Sequence, residues 1–244
     1  MRYLIRFSYD GTNFHGYQKQ PEKRTVEGEL EKALYNINNH TATRIFSSGR
    51  TDRGVHALGQ TAHFDLNVTI TLYKLKCALN SLLPDDIHVI DAVTVDNDFH
   101  ARFMVKNKTY KYYLNIGEYN PIERNHIYQY NKELDVKKMQ QAIKDFIGTY
   151  NFEVFTSNEA IKEDYTRTIY DASIEEKDNL IIFNFNGNGF MKYQVRNMVG
   201  TLMKIGKGKL PVDTIKKLLY GKEESKHVFT ARPEGLYLVE VSYK

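Results

Sequence analysis

An α+β fold with a mainly antiparallel sheet is predicted by three features of the sequence. Apolar segments of strand length are interspersed with segments of helical periodicity, residues 60–68 alternate apolar and polar side chains, and no low-complexity stretch or flexible linker intervenes. Two hundred and forty-four residues, 41% hydrophobic and 26% charged with five prolines, suffice to bury a core and exclude a disordered or collagen-like chain.

Residues 2–9 form the first expected strand. A helix follows in which Val26, Leu30, Ala33, Leu34 and Ile37 recur at helical spacing behind Thr25 as N-cap. Residues 44–48 suggest a short strand. Over 60–68, Ala62, Phe64, Leu66 and Val68 share one face and Thr61, His63, Asp65 and Asn67 the other, the pattern of a strand buried on one side and solvated on the other. A helix over 72–83 stops at Pro84, and strands follow over 87–95 and 109–116, so the first half runs β-α-β-β-α-β-β. After a connector at 117–132, the second half has a helix over 136–147 and a loop carrying Tyr150, Phe152 and Phe155. Strands over 169–176 and 180–186, a helix over 193–205, another after Pro211 and a strand over 236–242 complete it. The pattern predicts two related ferredoxin-like or RRM-like halves, residues 1–116 and 117–244, with a cleft between them.

Composition narrows the function classes. One cysteine, Cys77, excludes an intramolecular disulfide and any Cys-rich metal or redox site, and its apolar helix suggests a small core residue. No signal-peptide h-region or apolar run of spanning length is visible, which predicts a cytoplasmic chain without membrane attachment. His63 and Asp65 share a strand face, yet no third ligand is spaced to complete a metal site, so both are expected to face solvent. The net charge of +4 is uninformative, but its distribution is not: residues 102–111 hold four basic residues and no acid, and residues 192–217 hold seven against Asp213. Such stretches suit a polyanion.

The segment that suggests chemistry is Ser48-Gly49-Arg50-Thr51-Asp52-Arg53-Gly54-Val55-His56-Ala57. Its glycines permit a tight backbone, and Asp52 lies two residues from Arg50 and beside Arg53. Cationic neighbours would hold that carboxylate ionised, which suits a nucleophile or an anion stabiliser; a turn in which Asp52 caps a backbone amide is the plain alternative. On the strand from Thr109, Tyr110 and Tyr112 share a face with lysines between, an arrangement able to stack on unpaired bases. In Val195-Arg196-Asn197-Met198-Val199-Gly200, the stripe of Val195, Val199 and Leu202 leaves Arg196 on the boundary of a buried helix face.

The block from Gly49 to Ala57 resembles the signature of the TruA-type tRNA pseudouridine synthases. Further blocks match in order: Tyr9-Asp10-Gly11-Thr12 with Phe14, Gly16, Gln18 and Pro21; Gln60 with Ala62-His63-Phe64; Phe99-His100-Ala101-Arg102-Phe103; Tyr110; Val195 to Gly200; and Glu234-Gly235-Leu236-Tyr237-Leu238. The resemblance spans nearly the whole chain. It implies isomerisation of uridine to pseudouridine at positions 38, 39 and 40 of the anticodon arm, by a homodimer that uses no cofactor and no metal. Residue by residue it implies Asp52 as nucleophile, Tyr110 stacked on the target base, Arg196 as partner of the aspartate, Arg50 holding the displaced nucleotide and Leu236 closing the apolar side of the pocket. It makes residues 1–116 the catalytic half and 117–244 the half that completes the site.

The chain departs from the family pattern at Arg53, usually Ala; at Tyr17, usually Trp; and at Lys108, usually Arg. Two runs also differ, Tyr150-Asn151-Phe152 and Phe190-Met191-Lys192-Tyr193. These changes bear on how the RNA is gripped. Two rivals remain on the residues alone. One is a non-catalytic RRM-like RNA-binding module built on Tyr110 and Tyr112; the other is a phosphatase suggested by Tyr9-Asp10-Gly11-Thr12, which lacks a carboxylate at Ser8 and a parallel-sheet pattern.

Overall fold

A computed structural model describes residues 1–157, 164–221 and 225–243. Ten strands and five α-helices follow in chain order: β1 (Arg2–Tyr9), α1 (Val26–Ile37), β2 (Ile45–Ser47), β3 (His56–Asp65), α2 (Leu72–Leu82), β4 (Ile87–Thr94), β5 (Asn107–Asn115), β6 (Tyr128–Gln129), α3 (Val136–Ala142), β7 (Gly148–Asn151), β8 (Thr166–Lys177), β9 (Leu180–Gly187), α4 (Gln194–Gly206), α5 (Thr214–Leu219) and β10 (Leu236–Ser242). The fold is α+β and largely antiparallel, as the patterning predicts. Two compact units emerge, Met1–Lys106 with Leu238–Lys244, and Asn107–Tyr237.

In the first unit β1 lies between β4 and β3, antiparallel to both. Strand alternation places Tyr3, Ile5, Phe7 and Tyr9 on one buried face, and the helices supply the apolar cover through Val26, Leu30, Ala33 and Leu34 of α1 and Leu75 and Leu79 of α2. Thr25 Oγ1 accepts from Gly28 N, satisfying one of the amides that a helix start leaves unpaired, and Thr71 Oγ1 does the same for Lys74 N.

The second unit is built on the order β5-β9-β8-β7, antiparallel throughout, with β6 parallel to β5. Tyr112, Phe183, Phe185, Phe146, Phe152 and Phe155 are fully buried in it. All of α4 is buried except Arg196 and Lys204. The helix expected over 136–147 is shorter: α3 ends at Ala142 and a 3-10 turn, Ile143–Phe146, keeps Ile143 and Phe146 inside. Gly148, at φ +132, then opens β7, a strand where a loop was expected because four residues are too few to show a period.

Two burial expectations fail. Cys77 is exposed, because α2 buries only Leu75 and Leu79. His63 is 2% exposed, since the second face of β3 is covered as well as the first. Its Nδ1 accepts from Ala101 N at 3.1 Å, and the rings of Phe46, Phe99 and His100 close over it. Burial, then the neighbouring His100 and Arg2, depress its pKa to about 4. The unfolded chain takes up this proton near pH 6.5 and the folded chain refuses it until pH 4, so stability falls across that window, by roughly 3 kcal/mol from this group, and levels off below it. An NMR titration of the His63 ring should find it neutral at pH 5.5; a midpoint near 6.5 would contradict the packing.

No helix among the described residues is long and apolar enough to cross a membrane.

Candidate active site

The segment 48–55 joins β2 to β3, and it is tethered from two sides. From β3, the fully buried Gln60 accepts at Oε1 from Ser48 Oγ at 2.6 Å and from Thr61 N at 3.1 Å, and donates through Nε2 to Gly49 O at 3.0 Å. From the end of β1, Tyr9 OH lies 2.8 Å from Thr51 Oγ1. Tyr17 N donates to Thr51 O at 3.1 Å and Val55 N closes a turn on Asp52 O at 3.2 Å. Burial pushes the Tyr9 phenol up to about 12 against the opposing hydrogen bonds with Thr51 and Gln60, so it remains a neutral hydroxyl fixed on the loop.

Close approach of main chains explains two glycines, and a left-handed backbone a third. A Cβ on Gly11 would stand 2.0 Å from Val55 O, one on Gly16 would stand 3.1 Å from Thr51 O at a φ of +91, and Gly54 has φ +76. His56 Nδ1 lies 3.1 Å from both Gly11 N and Asp10 Oδ1, which ties the Asp10-Gly11-Thr12 turn to the start of β3. That turn is closed by Thr12 N donating to Asp10 Oδ1 at 3.0 Å. Asp10 thus serves a turn at the end of an antiparallel strand, which removes the phosphatase alternative.

Asp52 is half-buried at the crest of this tethered loop, whereas Arg50 and Arg53 are exposed. Neither arginine forms an ion pair among the described residues, so the loop's own guanidinium groups do not clamp the carboxylate as the spacing suggested. The side chains that fix the loop, Tyr9 and Gln60, were matched only as parts of blocks in the sequence. Their role depends on the register that sets Phe7 opposite Gln60 and Tyr9 opposite Ala57.

The remaining candidates belong to the second unit. Tyr110, 8% exposed on β5, is paired with Phe185 on β9, and its ring meets that of Phe190 edge to face with the ring centres 5.1 Å apart. Tyr112 shares its face but is fully buried and donates to Arg232 O at 2.8 Å, so it is unavailable for stacking and the two-tyrosine platform of the RRM-like alternative loses a ring. Arg196 is half-buried on α4; its Nε donates to Ala231 O at 2.8 Å and its guanidinium lies 4.9 Å from the ring centre of Tyr193, which holds φ +64 at the helix start. Leu236, 5% exposed, opens β10 behind the turn Pro233–Gly235. Gly235 is required there because a Cβ would stand 2.5 Å from Tyr113 O and 2.8 Å from the Tyr112 ring.

Comparison with known proteins finds a match to the family model described as tRNA pseudouridine synthase over residues 5–104 and 142–244. The chain is 44% identical over 246 residues to "tRNA pseudouridine synthase A" of Streptococcus agalactiae serotype III, covering all of this chain and 95% of that protein. The proteins of the same name from Streptococcus mutans serotype c and Limosilactobacillus reuteri are each 44% identical to it. They cover 100% and 99% of this chain, and 99% and 96% of their own lengths.

Proposed function

The chain belongs to the tRNA pseudouridine synthase family, isomerases that act on uridine in tRNA, and from that premise we propose that it modifies positions 38, 39 and 40 of the anticodon arm with Asp52 as nucleophile. The observation that carries the assignment is a half-buried carboxylate on a loop whose main chain is fixed from both sides by Gln60, Tyr9 and Tyr17. Pre-organisation of this kind keeps a reacting group in place without a reordering cost at the moment of reaction.

The isomerisation breaks the C1′–N1 bond, turns the uracil over and joins C1′ to C5; the C5 proton leaves at the end and the freed N1 takes up a proton, so the product has the composition of the substrate. No electrons are exchanged with another reagent, and no cofactor is called for. Attack of Asp52 at C1′, its addition at C6 and abstraction of the C2′ proton all begin from the ionised carboxylate. Tyr110 stacks on the target base and removes the C5 proton. Since an ordinary phenol titrates near pH ~10, that step requires positive charge nearby, which Arg196 supplies, along with stabilisation of the ionised Asp52. Arg50 holds the displaced nucleotide and Leu236 covers its apolar edge. A uridine stacked in a stem costs a few kcal/mol to extrude, and phosphate contacts elsewhere on the protein offset this.

The working form is a cytoplasmic homodimer, expected at twice the 28.5 kDa chain mass in solution. Purified protein incubated with unmodified tRNA transcripts should place pseudouridine at positions 38–40 and nowhere else. Modification confined to another arm would contradict the anticodon assignment while leaving the family intact.

A further inference from the structure

We propose that the first unit carries a second nucleotide-binding surface, in addition to the Asp52 loop, on which an unpaired tRNA base stacks against Phe103 and Phe46 with Arg102 and Arg44 taking the phosphates. The proposal rests on tRNA being the substrate. Phe103 is 79% exposed and Phe46 37% exposed, yet both end a continuous run of rings that begins in the core. Phe46 lies flat on buried His63 at 5.1 Å and 17°, His63 meets His100 at 4.7 Å, and His100 meets Phe103 at 4.3 Å.

The turn that presents Phe103 is fixed. Ala101 N donates to His63 Nδ1, Arg102 N to His100 Nδ1 at 3.1 Å, Met104 N to His100 O at 3.1 Å, and Tyr243 OH to Ala101 O at 2.8 Å. A large ring left mostly in water on an ordered turn buries little apolar surface for the fold, and it loses little freedom when a base stacks on it.

Charge selects the occupant. The Arg44 guanidinium lies 5.4 Å from the Phe46 ring centre, and Arg102 adjoins Phe103. Both arginines are exposed, and neither is ion-paired among the described residues, whereas nearby Arg2 is neutralised by Asp65. Aromatic faces flanked by uncompensated guanidinium groups fit a base and its phosphates. A two-fold contact between copies centred on this patch would instead bring the same arginines together.

Anisotropy with an unmodified tRNA transcript tests the surface, with solution mass recorded for each variant. Phe103→Ala and Phe103→Leu should each weaken binding roughly 5- to 100-fold at unchanged mass, and Phe103→Trp, which keeps a π face, should stay within about twofold of wild type. Arg102→Gln should lower the slope of log Kd against log salt by about one. Wild-type affinity in Phe103→Ala, full affinity in Phe103→Leu, or a loss accompanied by a change in mass would each overturn the proposal, the last by making the patch an interface between copies. Pseudouridine formation by the wild type on the same transcript separates the two levels. A wild type that forms pseudouridine beside variants that bind normally defeats the surface alone; a wild type that binds and forms none defeats the catalytic assignment alone.

Discussion

Asp52→Asn is expected to slow pseudouridine formation by about ten-thousand-fold or more in single turnover while tRNA affinity stays within a few-fold of wild type. The amide keeps the size and hydrogen-bonding shape of the carboxylate but cannot act as nucleophile or accept a proton at the sugar, and loss of a nucleophile removes stabilisation that exists only in the transition state. The loop should persist, because Gln60 holds Gly49, Tyr9 holds Thr51 and Tyr17 holds the Thr51 carbonyl. Rapid-quench assays with enzyme in excess over tRNA give the rate directly. Retention of more than about one-hundredth of the wild-type rate would remove Asp52 from the covalent chemistry and leave it a turn residue.

The next largest effect is expected at Gly11, which touches no substrate in this account. Its added methyl would stand 2.0 Å from Val55 O and 2.5 Å from Val55 C, main-chain atoms that no side-chain rotation can clear. Gly11→Ala must therefore push β1 and the 48–55 segment apart. A displacement of about 1 Å in a reacting group costs on the order of a hundredfold in rate, and overpacking of this kind costs roughly 1–3 kcal/mol in stability. Gly208 provides the comparison. It has φ +67 with nothing within 4 Å of an added Cβ, so Gly208→Ala should lose only about 1 kcal/mol and keep wild-type turnover. Equal turnover in the two variants, with thermal melts run in parallel, would show that the Gly11 contact does not position Asp52.

Most of the fold was legible because its elements carry local signals. Thr25 before the Val26, Leu30, Ala33, Leu34 stripe marks α1, and Pro84 marks the end of α2. The Asp52 loop was visible from the glycines at 49 and 54 around a carboxylate and from its resemblance to a known signature. What escaped the sequence is set by distant partners. Asp65 of β3 is exposed as its alternation suggests, but His63 on the same face is buried by Phe46 of the neighbouring strand and by Phe99, His100 and Ala101, distant in the chain. Thr61 Oγ1 meets Tyr243 OH at 2.6 Å across a separation of 182. The tethering role of Tyr9 and Gln60 was hidden for the same reason: it exists only once β1 and β3 are in register. The basic stretch that begins at Arg102 was visible in the sequence, but the exposure of Phe103 within it is set by the turn around it and carries no local signal.

If the Asp52 carboxylate engages a uridine drawn out of tRNA, tRNA containing 5-fluorouracil should trap or report that encounter. Wild-type protein should yield a stable protein–RNA complex or a rearranged fluorinated nucleoside, detected by denaturing gel and mass spectrometry, and Asp52→Asn should yield neither. Formation of the same products by the Asn variant at the wild-type rate would contradict that role of Asp52.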